Sequence, residues 1–284
     1  MAHQQKALRW AVGSWSLFIA ENLILSENRT EIIRRFGDDK YHAIYGLCST
    51  VACGTILYSG YKIKTGISET VPRIARISPM GQALSFSMLG LGFIFVSQSA
   101  PRLQVPFYYE INKDKTMVPA PSPHEKTDNT TTTFSSSQWK VRCPFDFHSP
   151  EKEIYGIDRI TRHFGLWSFG FIGTGLGMLC TTLSARVWFS MPLMVALIGG
   201  EHTDSRYRRN MGGSFTPIQE LSSNIPFWGI VSGRQGDTLK VFTSLITDEI
   251  KGINAMIALG MAGVIVARKG RGVSSNAVSK LIQK

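Results

Sequence analysis

Apolar positions along this chain gather into long runs, and the charges crowd into the connectors between them. The runs cover residues 7–25, 41–61, 80–98, 166–183, 187–199 and 253–267. About 20 predominantly apolar residues are needed to cross the hydrocarbon core of a bilayer as a helix. Most of these runs meet or approach that length and hold few charges. The pattern predicts an all-α fold, a polytopic membrane bundle of about six transmembrane helices. The run at 187–199 is short for a crossing and contains Pro192, so it is expected to kink, to tilt, or to continue past Gly200.

The connectors carry signals of their own. Residues 26–40 are charged but place Ile32, Ile33 and Phe36 at helical spacing, which predicts a short amphipathic helix on the membrane surface. Residues 237–249 repeat the pattern with Leu239, Val241, Phe242, Leu245 and Ile246. Pro226, Phe227 and Trp228 form an apolar knot too short to span, expected at the interface where aromatic rings are favoured. Residues 100–157 differ in kind. They hold P-A-P-S-P and a Thr/Ser-rich tract, which cannot bury enough apolar area for a core. The expected organisation is therefore membrane helices over 1–99, an extended polar insert over 100–157, and membrane helices over 158–284.

Within the runs, small residues recur. Gly46, Cys48, Ser49, Cys53 and Gly54 lie in the second run, and Gly170, Gly173, Gly175 and Gly177 in the fourth. Small residues let membrane helices approach closely. The G-T-G-L-G stretch in the fourth run is read the same way, because no strand precedes it and no βαβ unit surrounds it. Glu21 and Asn22 sit near the far end of the first run, facing either the interface or the bundle interior.

The net charge of +11 in 284 residues changes the picture little. The basic residues flank apolar runs rather than form a stripe interleaved with aromatics, so lipid headgroups and topology explain them and nucleic acid is not an expected partner. The four cysteines, Cys48, Cys53, Cys143 and Cys180, form no C-x-x-C pair and read as packing residues. Sequons at Asn28 and Asn129 matter only if those segments meet a secretory lumen. The basic N-terminal segment lacks a small-residue cleavage site, so no removed secretory signal is expected. No hydrolase, phosphate-loop or zinc pattern is present, and no catalytic or metal-binding residue is assigned.

Three spaced stretches resemble one family. R-I-T-R-H-F-G-L-W-S-F-G, beginning at Arg159, looks like the R-x-x-R-H-P-x-x-W motif of the NnrU family, which includes the 15-cis-zeta-carotene isomerases. The G-E-H-T-D-S-R segment from Gly200 resembles the family's G-x-H-x-D-x-R. The S-S-N-I-P-F-W-G-I-V-S-G-R-Q stretch resembles the isomerases' tail motif, with Gly229 in place of an alanine. A weaker match includes Gly37 and Tyr41. The isomerases hold a haem b between histidines of two helices. The resemblance implies that His163 stands at one ligand position. The other falls at Asn22, a poor haem ligand beside imidazole, and Phe164 replaces the motif's proline.

The resemblance therefore implies a kept scaffold with one ligand of two missing. The expected function is that of a non-catalytic accessory subunit in an organellar membrane complex, placed in the mitochondrial inner membrane and expected in the respiratory chain. Its partners would be membrane lipids and other subunits, with no cofactor. The alternative is a haem b-dependent cis–trans isomerase of a long polyene in a mitochondrial or plastid membrane, with His42, His202 or Cys180 replacing the lost ligand. A transporter is less well matched, because no broken-helix pair is evident. His163 is the candidate cofactor ligand, or else a structural histidine bonded to backbone or a carboxylate. His202 is a weaker candidate, expected in ion pairs with Glu201 or Asp204. Arg206, Arg208, Arg209 and Trp228 are candidate lipid or partner contacts.

Overall fold

The computed structural model describes residues 2–70, 77–103, 107–111, 137–141, 145–146, 154–211 and 213–270. The chain divides into two compact units, Met1–Ala100 with Ser149–Lys284, and Pro101–His148. The smaller unit holds two antiparallel ribbons. One pairs β1 (Arg102–Leu103) with β4 (Phe145–Asp146), the other β2 (Phe107–Ile111) with β3 (Ser137–Val141), with Tyr109 opposite Trp139. The described part of the insert forms these ribbons, within a segment expected to be an extended, partly ordered loop. Its proline-rich and threonine-rich tracts, with Cys143 and Asn129, lie outside the described residues.

The larger unit is helical. It contains α1 (Ala2–Glu27), α2 (Arg29–Phe36), α3 (Asp38–Thr70), α4 (Pro79–Ser99), α5 (Ile157–Ile160), α6 (Phe164–Met178), α7 (Leu183–Arg208), α8 (Pro217–Leu221), α9 (Trp228–Val231), α10 (Thr238–Ser244) and α11 (Gly252–Gly270). Several ends follow local rules. Ser78 caps α4, its Oγ accepting from the Gly81 amide at 3.1 Å, with Pro79 in the first turn. Gly37, at φ +88°, turns the chain between α2 and α3 where a side chain would be strained. The short α2 is the amphipathic connector predicted from Ile32, Ile33 and Phe36, with Glu31 paired to Arg34 and Arg35 on its solvated face.

The long helices pack as a row of neighbours in the order α3, α1, α7, α6, α4, α11. Small residues set the spacing. A β-carbon on Gly173 would lie 2.3 Å from the Phe189 carbonyl oxygen, and one on Gly177 2.9 Å from the Arg186 carbonyl, so α6 and α7 touch backbone to backbone. Gly92 and Gly175 do the same between α4 and α6, against Ile172 and Leu89. At the other side of the row, the Ser14 and Ser59 hydroxyls meet at 2.9 Å between α1 and α3, and Trp188 of α7 donates to Ser59 at 2.8 Å. Phe95, Trp167, Ala196 and Ile230 form the centre of one core cluster.

Four helices are long and apolar enough to cross a membrane: Asp38–Lys64, Pro79–Ser99, Leu183–Arg208 and Gly252–Lys269. The helix Phe164–Met178 is apolar but shorter. The helix is the form a crossing segment takes, because it pairs every backbone group internally. In the four apolar windows only 11–28% of the residues are buried within the protein. Leu57 is 72% exposed and Met256 64%. Such continuous apolar surface is stable facing lipid or another protein, and unstable facing water.

Two boundaries differ from the sequence expectation, and the run at 187–199 takes one of the courses expected of it, continuing past Gly200. The apolar run at 166–183 ends as a helix at Met178, and Leu183 already belongs to α7. The short run at 187–199 is the middle of a single 26-residue helix that carries Pro192 inside it and continues to Arg208. The surface helix expected at 237–249 breaks after Ser244 into a π-turn, Leu245–Glu249, which buries Leu245 and Glu249.

The antiparallel packing sorts the charges. The N-termini of α1, α4 and α7 and the C-termini of α3, α6 and α11 share one end, carrying Lys6, Arg9, Lys62, Lys64, Arg186, Arg268 and Lys269. The opposite end mixes both signs and holds the candidate site.

A polar candidate site at the mixed-charge end of the bundle

At that end the three motif-bearing stretches converge. Residues 158–163 and 222–227 run against each other, held by hydrogen bonds. The Ser222 hydroxyl donates to the Asp158 carbonyl at 2.6 Å and the Arg162 amide to the Ser223 carbonyl at 3.1 Å. The Thr161 hydroxyl donates to the Asn224 carbonyl at 2.6 Å, and the Phe227 amide to the Ile160 carbonyl at 2.9 Å. Phe227 adopts φ +66° to make its turn and stacks on Phe242. Asn224 then reaches into the bundle. Its side-chain oxygen accepts from Trp167 Nε1 at 3.2 Å, and its amide donates to the Leu197 carbonyl at 3.3 Å. A β-carbon on Gly200 would lie 2.2 Å from Asn224 Oδ1, so the glycine is what admits this side chain.

His163 stands at the N-cap of α6, one residue before the helix begins. Its Nε2 lies 2.7 Å from Asp204 Oδ1 on α7, and Asp204 is 1% exposed. Arg162 approaches the other oxygen of Asp204 at 3.6 Å, donates to the Ser222 carbonyl, and lies over the Phe215 ring at 4.5 Å. Burial pushes the Arg162 guanidinium below its ordinary pKa, and Asp204 acts in the opposite sense. A buried carboxylate shared by an imidazole and a guanidinium is strongly partnered, and either cation alone would leave it less so.

A second buried carboxylate completes the site. Glu249, on the π-turn, is 2% exposed. One of its oxygens accepts from the Gly156 amide at 2.7 Å and from Arg159 Nε at 3.0 Å, and the other from Ser244 at 3.2 Å. Gln235 reaches back to the Arg159 carbonyl at 2.8 Å and accepts from its guanidinium at 3.1 Å. The arrangement clamps α5, α9, α10 and the π-turn over the ends of α6 and α7.

The other sequence candidates fall nearby but apart from His163. His202 Nε2 meets Ser26 of α1 at 3.3 Å rather than Glu201 or Asp204. Arg206 also bonds Ser26, at 2.5 Å. Arg208 pairs with Glu201 at 2.9 Å, and Arg209 with Glu27 across to α1. The Glu27 pair raises the Arg209 pKa, chiefly through its hydrogen bond. These arginines thus have partners inside the protein and tie α7 to α1. Trp228 is 51% exposed. His42 pairs with Asp38 on the surface of α3. Asn224, Gln235 and Glu249 were not singled out from the sequence. Their only signals were a polar residue just ahead of an apolar knot, a glutamine in a resembling motif, and an acid on an otherwise apolar helix face.

Both positions that the resemblance assigns to haem ligands are engaged within the protein. The nitrogen that would meet iron, His163 Nε2, is held by Asp204. The second expected ligand position, Asn22, sits in its own network between α1 and α3. Its amide donates to Phe18 and Glu21, Tyr45 donates to its oxygen at 2.7 Å, and Ser49 donates to Glu21 at 2.8 Å. Among the described residues no nucleophilic side chain is hydrogen-bonded to the His163 ring, and no group of three or more His, Cys, Asp or Glu could hold a metal.

Comparison with known proteins adds no relative: no family model, no curated protein and no solved structure matches the chain.

Proposed function

We propose that this chain is a non-catalytic, multi-pass membrane subunit, a bundle of the NnrU-like kind that has kept its scaffold and lost its haem. It serves an organellar membrane complex, with the mitochondrial inner membrane and a respiratory assembly as the expected setting. The observation that carries the reading is the His163–Asp204 pair at 2.7 Å, which turns a would-be ligand into a strut between α6 and α7. The convergence of all three resembling stretches on that strut supports a shared scaffold. The exposed apolar faces of α3 and α11, at the two sides of the row, supply surface for lipid and for neighbouring subunits. All six long helices cross in this reading, α1 and the short α6 included, with both packed against the longer α7. Basic residues are retained on the side where a membrane protein is inserted, so the basic end faces the matrix.

A pyridine haemochrome spectrum of the detergent-purified chain tests the lost cofactor, with His163→Ala beside it. The expected result is no stoichiometric haem in either. A haem b signal in the native chain that the variant loses would restore the isomerase reading.

A further inference from the structure

The basic end holds a cleft of about 340 Å³ where the start of α4, the end of α6 and the start of α7 meet. Ser78, Thr174, Thr181, Arg186 and Ser190 line its polar side, and Ile77, Leu84 and Met178 its apolar side. Three observations bear on what it takes. Arg186 is exposed, with Nε donating to the Cys180 carbonyl at 2.8 Å. Among the described residues no carboxylate pairs with its guanidinium. Ser78 Oγ already accepts from the Gly81 amide, so its O–H remains to donate. The Thr174 hydroxyl is buried against the cleft and has no hydrogen-bond partner among the described residues, a state that is unfavourable unless something meets it. A cation and several hydroxyl donors beside an apolar wall match a phosphodiester followed by an acyl chain.

We propose that this cleft binds an anionic phospholipid of the basic-end leaflet, its phosphate on Arg186 and the hydroxyls and its chain along Leu84 and Met178. The nearby cation Lys269, which acts with Arg186 on Cys180 of the same helix end, favours a net-negative headgroup over a zwitterionic one. The inference rests on the membrane placement of the bundle and is independent of the accessory role.

The full chain is reconstituted in phosphatidylcholine nanodiscs containing phosphatidylglycerol, and the lipid retained after mild extraction is counted by native mass spectrometry. The native chain is expected to keep phosphatidylglycerol selectively. Arg186→Gln should cut that retention about tenfold, the order carried by a lost charged hydrogen bond, with its thermal midpoint in lipid-free detergent unchanged. Thr174→Val should also reduce retention, while leaving the lipid-free midpoint level or slightly higher because an unmet hydroxyl is gone. Lys6→Gln, at a separate cleft between α1 and α3, should change neither. Equal retention by native chain and Arg186→Gln, equal capture of phosphatidylcholine, or full competition by free glycerol phosphate would each overturn the proposal.

Discussion

Asp204 is the residue on which the polar end turns, because one buried carboxylate holds both His163 and Arg162. Replacing it with a neutral amide removes the negative charge and one of its two acceptor oxygens and strands a buried guanidinium, which is more damaging than losing an exposed ion pair. Asp204→Asn is expected to cost about 3 kcal/mol in denaturant unfolding of the detergent-solubilised chain. Glu201→Gln, whose partner Arg208 is exposed, should cost well under about 1 kcal/mol in the same assay. Equal losses would remove the distinction between strut and surface pair. The sequence placed His163 beside a carboxylate or backbone as one of two roles, and the structure shows the carboxylate. It could not say which one, because Asp204 is 41 positions away and Glu201 lies at a comparable separation from His163 along the chain. Asn224 was invisible for the same reason. Its contacts to Trp167, Leu197 and Thr161 exist only once α5, α6 and α7 have been brought together.

At the scale of elements, the row is held by close approach at glycines rather than by interlocking large side chains. Gly173→Ala would place its β-carbon 2.3 Å from the Phe189 carbonyl oxygen, and α6 must back away from α7 to admit it. The expected penalty is about 1–3 kcal/mol, read as a lower thermal midpoint. Gly54→Ala on α3, where a β-carbon meets nothing within 4 Å, should be neutral or gain up to about 1 kcal/mol of helix propensity. Helices bounded by strong local signals were legible: α4 starts at Ser78–Pro79, and α2 stops at Gly37. The break between α6 and α7 was read too late along the chain, after Leu183 instead of after Met178. Residues 179–182 are Leu, Cys, Thr and Thr, with no charge, proline or glycine to end an apolar run. Pro192 signalled a kink, yet the helix runs through it, with the ring packed into the contact left by Gly173. Glu249 was passed over because nothing near it in the sequence announces its partners, a backbone amide and Arg159 some 90 positions away.

For the whole molecule, hydropathy gave the class of fold and spatial packing gave the charge sorting. Along the sequence the basic residues alternate among connectors, and only antiparallel packing collects seven of them on one end. The orientation that follows is testable. With native cysteines replaced, Lys64→Cys should be labelled by a membrane-impermeant maleimide only when the matrix face is open, and Lys40→Cys only from the opposite face. The reverse pattern would invert the bundle. The central claim, a subunit rather than an enzyme, is tested most directly by native electrophoresis of the source membrane in mild detergent, followed by immunodetection of this chain. It should migrate wholly within a particle many times its own size and enter no smaller species until the detergent is made harsh. Migration at the size of the single chain, together with isomerase activity on a cis-polyene, would contradict the account.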